Sequence, residues 1–175
     1  RVAKIINFSV LYGVGAHNLS GTIGVGFYEA KKYIEEYFNA HKPIQDFMDK
    51  TLEKAKNEGY VETFFGRKRP TPDVKSANYI VRTAAERAAQ NMPIQGTEAD
   101  LMKRAMIQVD KMLSTKFMGR ADLVLQIHDS LIIECDNEVR DEIAKGLVEI
   151  MEGVAPELPI RLKADVSVGE NWGEL

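Results

Sequence analysis

Three side chains near the start of the sequence, Lys4, Phe8 and Tyr12, stand four residues apart. If this segment is a helix, the spacing places a cation, an aromatic plane and a phenol on one face. A nucleoside triphosphate needs a cation for its phosphates and a flat apolar surface for its base, and this face offers both. The alternative from spacing alone is that Phe8 and Tyr12 are core aromatics and that Lys4 is merely exposed.

A second candidate site lies where two apolar runs of the sequence almost meet. Residues 123–127 and 131–133 read as strands, and only His128, Asp129 and Ser130 separate them. This pattern predicts a hairpin with its polar residues at the tip. A tight turn between two strands holds a carboxylate on a rigid support, where it can bind Mg²⁺. Asp129 is therefore the predicted metal ligand, although a His-Asp pair alone is common.

Charge is divided unevenly along the 175 residues, which carry a formal net charge of −3. Residues 1–120 hold 19 Lys and Arg against 13 Asp and Glu, whereas residues 121–175 hold 4 against 13. The overall sign argues against a nucleic-acid binder, but the distribution permits a basic nucleic-acid face beside an acidic, metal-holding region. The alternative is a solvated surface with an uneven charge distribution.

Composition excludes several other classes of protein. A single cysteine, Cys135, excludes an internal disulfide framework, and three scattered histidines make a histidine metal cage a poor hypothesis. No apolar run approaches the roughly 20 residues of a membrane span. The sequence begins at Arg1 rather than at Met, which indicates a piece of a longer chain.

The elements that must position these residues follow from periodicity and from stop signals. We predict an α+β fold, with a helical first part followed by a small antiparallel sheet and packed helices. Gly13 should end the first helix, Asn137 should cap a later one that runs to about Glu152, and Pro93 should interrupt the long helical stretch between them. The other predicted elements are a glycine connector at 21–26, a helix that starts at residue 27, a helix at 43–59 and a short strand at 60–65. They continue with helices at 76–90 and 97–116 and a last strand at 160–168.

The first segment closely resembles motif B of family A DNA polymerases, the bacterial DNA polymerase I type. Lys4, Phe8, Tyr12 and Gly13 match that pattern, whose leading Arg would fall one position before Arg1. The resemblance implies that Lys4 contacts the incoming phosphates and assists the leaving pyrophosphate. It also implies that Phe8 stacks on the nucleotide, that Tyr12 guards the template-base position, and that Phe at position 8 rejects dideoxynucleotides.

Two further segments resemble the parts of this family that touch primer–template DNA. Arg87, Asn91 and Gln95 match residues that contact the minor groove, where the acceptors shown by every base pair allow contact that is nearly independent of sequence. Taken alone, the same segment could be a helix N-cap network around Pro93. A basic turn that includes Arg67 and Arg69 resembles part of the fingers, and its alternative is a solvated basic hairpin.

Residues 126–130 resemble motif C, which is usually His-Asp-Glu in these enzymes. Asp129 matches the metal-binding aspartate, and Gln126 and His128 match residues near the primer end. Ser130 departs from the pattern, because a hydroxyl replaces the usual carboxylate, as it often does in single-subunit RNA polymerases. Residues 166–172 resemble the carboxyl end of the family, so that the likeness covers nearly the whole chain.

The resemblance implies template-directed DNA synthesis by a two-metal mechanism with two Mg²⁺ ions, dNTP and primer–template DNA as partners, no membrane, and a cytoplasmic, nucleoid-associated location. The sequence supplies Asp129 but no convincing second carboxylate, and the family places its partner, the motif A aspartate, upstream of motif B. We therefore expect a fragment that is inactive without the upstream remainder of the polymerase. It would comprise a fingers portion, 1–77, with the motif B helix at 1–13, and a palm portion, 78–175, with the motif C hairpin at 121–135. The alternatives are a stand-alone nucleic-acid-binding module and a relative of single-subunit RNA polymerases.

Overall fold

The computed structural model describes all residues from 1 to 175 and divides into two compact units, residues 1–96 and 97–175. The predicted fold class is confirmed, because the chain is mostly helical with two small antiparallel sheets of two strands each. No helix combines the length and the apolar character that crossing a membrane requires. The predicted boundary between residues 77 and 78 concerns subdomains of the polymerase rather than compactness, and it stays a prediction.

The first unit opens with four helices, α1 (Val2–Leu11), α2 (Ala16–Ile23), α3 (Phe27–Ala40) and α4 (Lys42–Glu58). Gly13 and Gly59 follow α1 and α4 with φ values of +72° and +79°, as their predicted roles as stop residues require. Strands β1 (Tyr60–Glu62) and β2 (Lys68–Pro70) then form a hairpin, and a 3₁₀ turn follows at Pro72–Lys75. The core of this unit joins α4, β1, the 3₁₀ turn and the helix that starts at Tyr79, and its buried members are Ala55, Val61, Val74, Ala89 and Met92.

The predicted connector at residues 21–26 is wrong in its first half, because α2 continues through Gly21. A glycine inside a helix costs about 1 kcal/mol relative to alanine. Burial of a leucine side chain is worth about 1.5–3 kcal/mol, and Leu19 is fully buried. Gly24, with a φ of +73°, ends the helix instead.

The predicted interruption at Pro93 is also wrong, because one helix, α5 (Tyr79–Lys116), runs through it and passes from the first unit into the second. Proline removes one backbone hydrogen bond at a cost of about 3 kcal/mol. Buried side chains on both sides of Pro93, Met92 before it and Met102 after it, hold the helix together. Packing therefore overrides the local signal.

The second unit continues from α5 into a hairpin and a helix: β3 (Ala121–Ile127), β4 (Ser130–Cys135) and α6 (Arg140–Gly153). A 3₁₀ turn at Trp172–Glu174 ends the described elements. The hairpin was predicted, and its register pairs Ala121 with Cys135 at the base and Ile127 with Ser130 at the tip. The apolar core of this unit is built by α5, the hairpin and α6, and its buried members are Val109, Leu113, Phe117, Ala121, Val139 and Ile143.

Two predictions in this unit are wrong. Asn137 does not cap α6, because the helix begins at Arg140 after Val139, whose side chain is buried together with Ile143. Residues 160–168 alternate as a strand would, yet they pair with no other strand. An alternating pattern becomes a strand only where a neighbouring strand offers its backbone groups, and the only sheet of this unit is the β3–β4 pair.

Candidate active site

The face of α1 carries its three candidate side chains in the open. Val10 is the one buried residue of this helix, whereas Phe8 is 53% exposed and Tyr12, which follows the helix, is 47% exposed. The Lys4 ammonium lies 5.8 Å from the centroid of the Phe8 ring. The alternative that Phe8 and Tyr12 are core aromatics is therefore wrong. The face presents a cation beside an accessible aromatic plane, which suits a phosphate joined to a flat base.

Gly13 links the end of α1 to α5. A Cβ atom on Gly13 would lie 3.1 Å from Cγ of Arg87, so the stem of that arginine passes against the glycine. Any other residue would also be strained there, because the φ of +72° lies in the left-handed region. Because Gly13 directly follows Tyr12 in the sequence, the Arg87 stem lies near the end of α1 that precedes Tyr12.

The three predicted minor-groove residues follow each other by four positions on α5. Arg87 and Gln95 are exposed and Asn91 is half-buried. This spacing places them on one side of the helix. The alternative of an N-cap network around Pro93 is wrong, because the helix begins at Tyr79 and no helix starts near the proline.

The basic turn between β1 and β2 is a compact hairpin. Thr63 and Arg67 close it, with the Thr63 amide donating to the Arg67 carbonyl at 3.0 Å and the Arg67 amide donating to the Thr63 hydroxyl at 3.1 Å. At its base the Lys68 ammonium lies 4.2 Å from the centroid of the Tyr60 ring. Lys68 and Arg69 are exposed on β2. The hairpin thus presents consecutive cationic side chains on one of its two paired strands.

The second unit places the other candidate residues at the tip of the β3–β4 hairpin. His128 and Asp129 form the two-residue loop, since Ile127 pairs with Ser130. His128 has a φ of +51°, and it is the one non-glycine residue of the chain with a positive φ. The Gln126 side-chain amide donates to the His128 carbonyl at 2.7 Å. Gln126, His128, Asp129 and Ser130 are all exposed.

A cavity of about 400 Å³ lies beside this tip within the second unit. Its apolar floor comes from α5 and α6, and the segment 162–166 forms another wall. Asp129 and Ser130 line it at the tip, together with Glu98 and Asp165. The unpaired segment 160–168 and the edge of β4 therefore border one open space.

The donor set at the tip fits a Mg²⁺ ion only in part. Mg²⁺ prefers an octahedral set of oxygen ligands, usually one or two carboxylates with water and substrate phosphates. Asp129 offers such a carboxylate, and Ser130 adds an uncharged hydroxyl. Nowhere in the chain do three or more His, Cys, Asp or Glu side chains group as metal ligands would. The tip therefore offers the carboxylate of Asp129, without a group of ligands around it.

The remaining reactive side chains have ordinary structural surroundings. Burial raises the pKa of the Cys135 thiol, and Cys135 packs against the core of the second unit. His41 lies against Tyr37, with ring centroids 4.7 Å apart. Neither residue belongs to a candidate site.

Two contacts of the site were missed by sequence reasoning. They are the bond from Gln126 to the His128 carbonyl and the passage of Arg87 against Gly13. The first depends on a positive φ at a histidine, and no local pattern announces such a φ. The second could have been suspected from Gly13 itself, because a glycine at a helix end tolerates close approach by a neighbour.

Known proteins resemble this chain over nearly its whole length. A family model described as DNA polymerase family A matches residues 1–174. The chain is 46% identical over 172 residues to the thermostable DNA polymerase I of Thermus aquaticus, covering 98% of this chain and 20% of that protein. It is 41% identical over 174 residues to DNA polymerase I of Pseudomonas aeruginosa, covering 99% and 19%.

A solved structure agrees with this similarity. The POL domain of Pol1 from M. smegmatis, in complex with DNA primer-template and dNTP, superposes with a TM-score of 0.85 at 36% identity, covering 93% of this chain and 28% of that one. The chain spans about a fifth of the length of the curated relatives. With the match of fold, sequence and ordered motifs over the same residues, the chain belongs to DNA polymerase family A.

Proposed function

We propose that this chain supplies the nucleotide-binding helix and one metal-binding carboxylate of a template-directed DNA polymerase. The observation that carries the proposal is the exposed face of α1, on which Lys4 lies 5.8 Å from the Phe8 ring. Phe8 is 53% exposed, which leaves its ring accessible for stacking on a base. In a member of this family, the pair suits the base and the phosphates of one incoming dNTP.

The α1 residues divide the work on the nucleotide. Lys4 binds the phosphates and stabilises the negative charge that develops on the leaving pyrophosphate. Phe8 stacks on the incoming base and Tyr12 borders the nascent base pair. In this proposal α1 swings to close over a correct nucleotide, a gating step of the kind that adds fidelity.

Asp129 is the residue of this chain that would hold the catalytic Mg²⁺. When bound, such ions activate the primer 3′-hydroxyl and neutralise charge on the triphosphate. The hairpin fixes Asp129 at the end of two paired strands. A hydroxyl at Ser130 adds no charge, so the second bridging carboxylate must come from another segment of the polymerase.

We assign the basic and amide side chains of both units to primer–template DNA. A relative's POL domain was solved with primer-template and dNTP, which supports both as partners. In this assignment the fingers comprise residues 1–77 and the palm residues 78–175. The proposed DNA contacts are Arg67, Arg69, Arg87, Asn91, Gln95 and His128, whereas the Gln126 side chain bonds the His128 carbonyl.

The activity belongs to a longer polymerase, and the 175 residues alone are inactive. Two observations support this part of the proposal: the chain spans about a fifth of its relatives, and its donor set for Mg²⁺ holds one suitable carboxylate. The cavity beside Asp129, about 400 Å³, leaves room for a side chain supplied by another segment.

The test is primer extension by a polymerase that contains this chain. We expect Mg²⁺-dependent incorporation of dNTPs opposite the matching template base, with ribonucleotides rejected. Equal use of ribonucleotides would favour the alternative of an RNA polymerase relative. Tight binding of primer–template without extension in any context would favour a binding module.

A further inference from the structure

The peptide that joins His128 to Asp129 is held in an unusual orientation. His128 has a φ of +51°, in the left-handed region that L side chains rarely adopt. Histidine tolerates this region better than β-branched residues do. A turn that depends on such a conformation needs a further contact to keep it from relaxing.

The contact is the side chain of Gln126. Its Nε2 donates to the His128 carbonyl oxygen at 2.7 Å, and Gln126 is itself held on β3, where it pairs with Leu131. That carbonyl belongs to the same planar peptide as the Asp129 amide nitrogen. Fixing the carbonyl therefore fixes the peptide plane to which the Cα atom of Asp129 is attached, and with it the position from which the Asp129 side chain starts.

We propose that Gln126 is a positioning residue, which clamps the hairpin tip so that Asp129 is aimed at the metal. The inference rests on the proposed role of Asp129. It gives Gln126 a task that differs from the primer contact expected from the sequence. A carbonyl oxygen accepts hydrogen bonds only, so the clamp needs a donor. Glutamine provides one, whereas an ionised glutamate of the same length does not.

The first test uses a polymerase that contains this chain, with Gln126→Met and Gln126→Glu. Both variants keep the length of the side chain and lose the donor. We expect single-turnover incorporation at saturating dNTP to fall about tenfold to a hundredfold, because small misplacements of a catalytic group have effects of that size. The KM for dNTP and the Kd for primer–template should stay unchanged. Glu134→Gln, at the other end of the same hairpin, is the matched control and should behave as wild type.

A double-mutant cycle separates the clamp from general damage to the fold. Glycine adopts a positive φ without support. Adding Gln126→Met to His128→Gly should therefore cost clearly less activity than adding it to the wild type. Equal costs in both backgrounds would overturn the proposal. So would a Gln126→Met variant that binds primer–template more weakly but turns over normally once saturated, because Gln126 would then be a DNA contact.

The second test does not depend on activity. In the 175-residue chain, the three-bond coupling between the amide and α protons of His128, with its backbone shifts, reports φ by nuclear magnetic resonance. We expect the left-handed signature in the wild type and in Glu134→Gln, and its loss in Gln126→Met. An unchanged signature in Gln126→Met would overturn the clamp. Absence of extension by the wild-type polymerase would instead overturn the proposed function.

Discussion

The nucleotide face on α1 and the hairpin tip at Asp129 differ in how much of their task lies within this chain. The α1 face spans nine residues, from Lys4 within the helix to Tyr12 directly after it. The tip is built by strands β3 and β4, and it contributes a single suitable carboxylate. A binding face on one helix needs only local spacing, whereas a two-metal site needs ligands from separate strands. In the proposed function, the chain therefore carries the whole of one site and one part of another.

The comparison predicts that the tip is the more sensitive region. In a polymerase that contains this chain, Asp129→Ala should reduce incorporation about a thousandfold or more, because a metal-held transition state loses several kcal/mol of stabilisation. Primer–template affinity should be retained. Single-turnover primer extension and a DNA-binding titration measure the two quantities, with Asp122→Asn at the base of the hairpin as the control. Normal turnover in Asp129→Ala would refute its role.

Substitutions on the nucleotide face should change how incorporation depends on dNTP concentration. Lys4→Ala should lower kcat/KM for dNTP about a hundredfold, since a charge-assisted contact to phosphate is lost. Lys4→Arg keeps the charge but cannot give up a proton at neutral pH, so it should restore nucleotide affinity more than turnover. Lys31→Ala, an exposed lysine of α3, is the control. An unchanged dependence on dNTP in Lys4→Ala would remove α1 from the nucleotide site.

Disturbing the contact between Gly13, after α1, and Arg87 of α5 should lower the stability of the chain. Gly13→Ala forces an L residue into the left-handed region and against Arg87, and we expect a loss of about 1–2 kcal/mol in the free energy of unfolding. Gly21→Ala is the control, because Gly21 lies inside α2, its φ is not positive, and an added Cβ atom would meet open space. Urea denaturation of the chain measures both variants. Equal midpoints for the two would contradict the strain at Gly13.

The smallest expected effect is a pH dependence of stability in the first unit. The Lys54 ammonium hydrogen-bonds the Glu62 carboxylate, which lowers the pKa of Glu62 from 4.5 and raises the pKa of Lys54 from 10.5. The stability that Glu62 contributes to the folded state is present above its ordinary pKa and is lost as pH falls through the lowered value. The stability that Lys54 contributes is present below its ordinary pKa and is lost as pH rises through the raised value.

Melting temperatures across the pH range measure this dependence. We expect a plateau at neutral pH with a shallow fall at both ends, and Glu62→Gln should flatten the acid side. The exposed pair of Lys31 and Glu35, at 3.7 Å, gives the control variant Glu35→Gln, which should change little. An acid limb that is identical in wild type and Glu62→Gln would show that the pair contributes nothing.

The parts of the fold that were predicted correctly are those in which local signals and packing agree. Helix α4 has proline in its first turn, an apolar face and Gly59 after its end, and each signal points to the same helix. The hairpin likewise combines two apolar runs with a polar tip. Where packing opposes a local signal, as at Gly21 and Pro93, packing prevails. The strand prediction for residues 160–168 is wrong for another reason, because an alternating pattern forms a strand only beside a partner strand.

The candidate sites show the same division. The α1 face could be read from spacing because a helix turns spacing directly into position. The tip could be located but not understood, because its geometry depends on a positive φ at His128 and on the bond from Gln126. Such contacts arise only after the strands have paired, so no linear pattern records them.

The most direct test of the account is Mg²⁺-dependent primer extension by the purified 175-residue chain, beside a polymerase that contains it. We expect extension by the polymerase and none by the chain alone, because the chain holds the nucleotide face but only one carboxylate of the metal site. Detectable template-directed extension by the purified chain, abolished by Asp129→Ala, would show that its metal site is complete and would contradict the account.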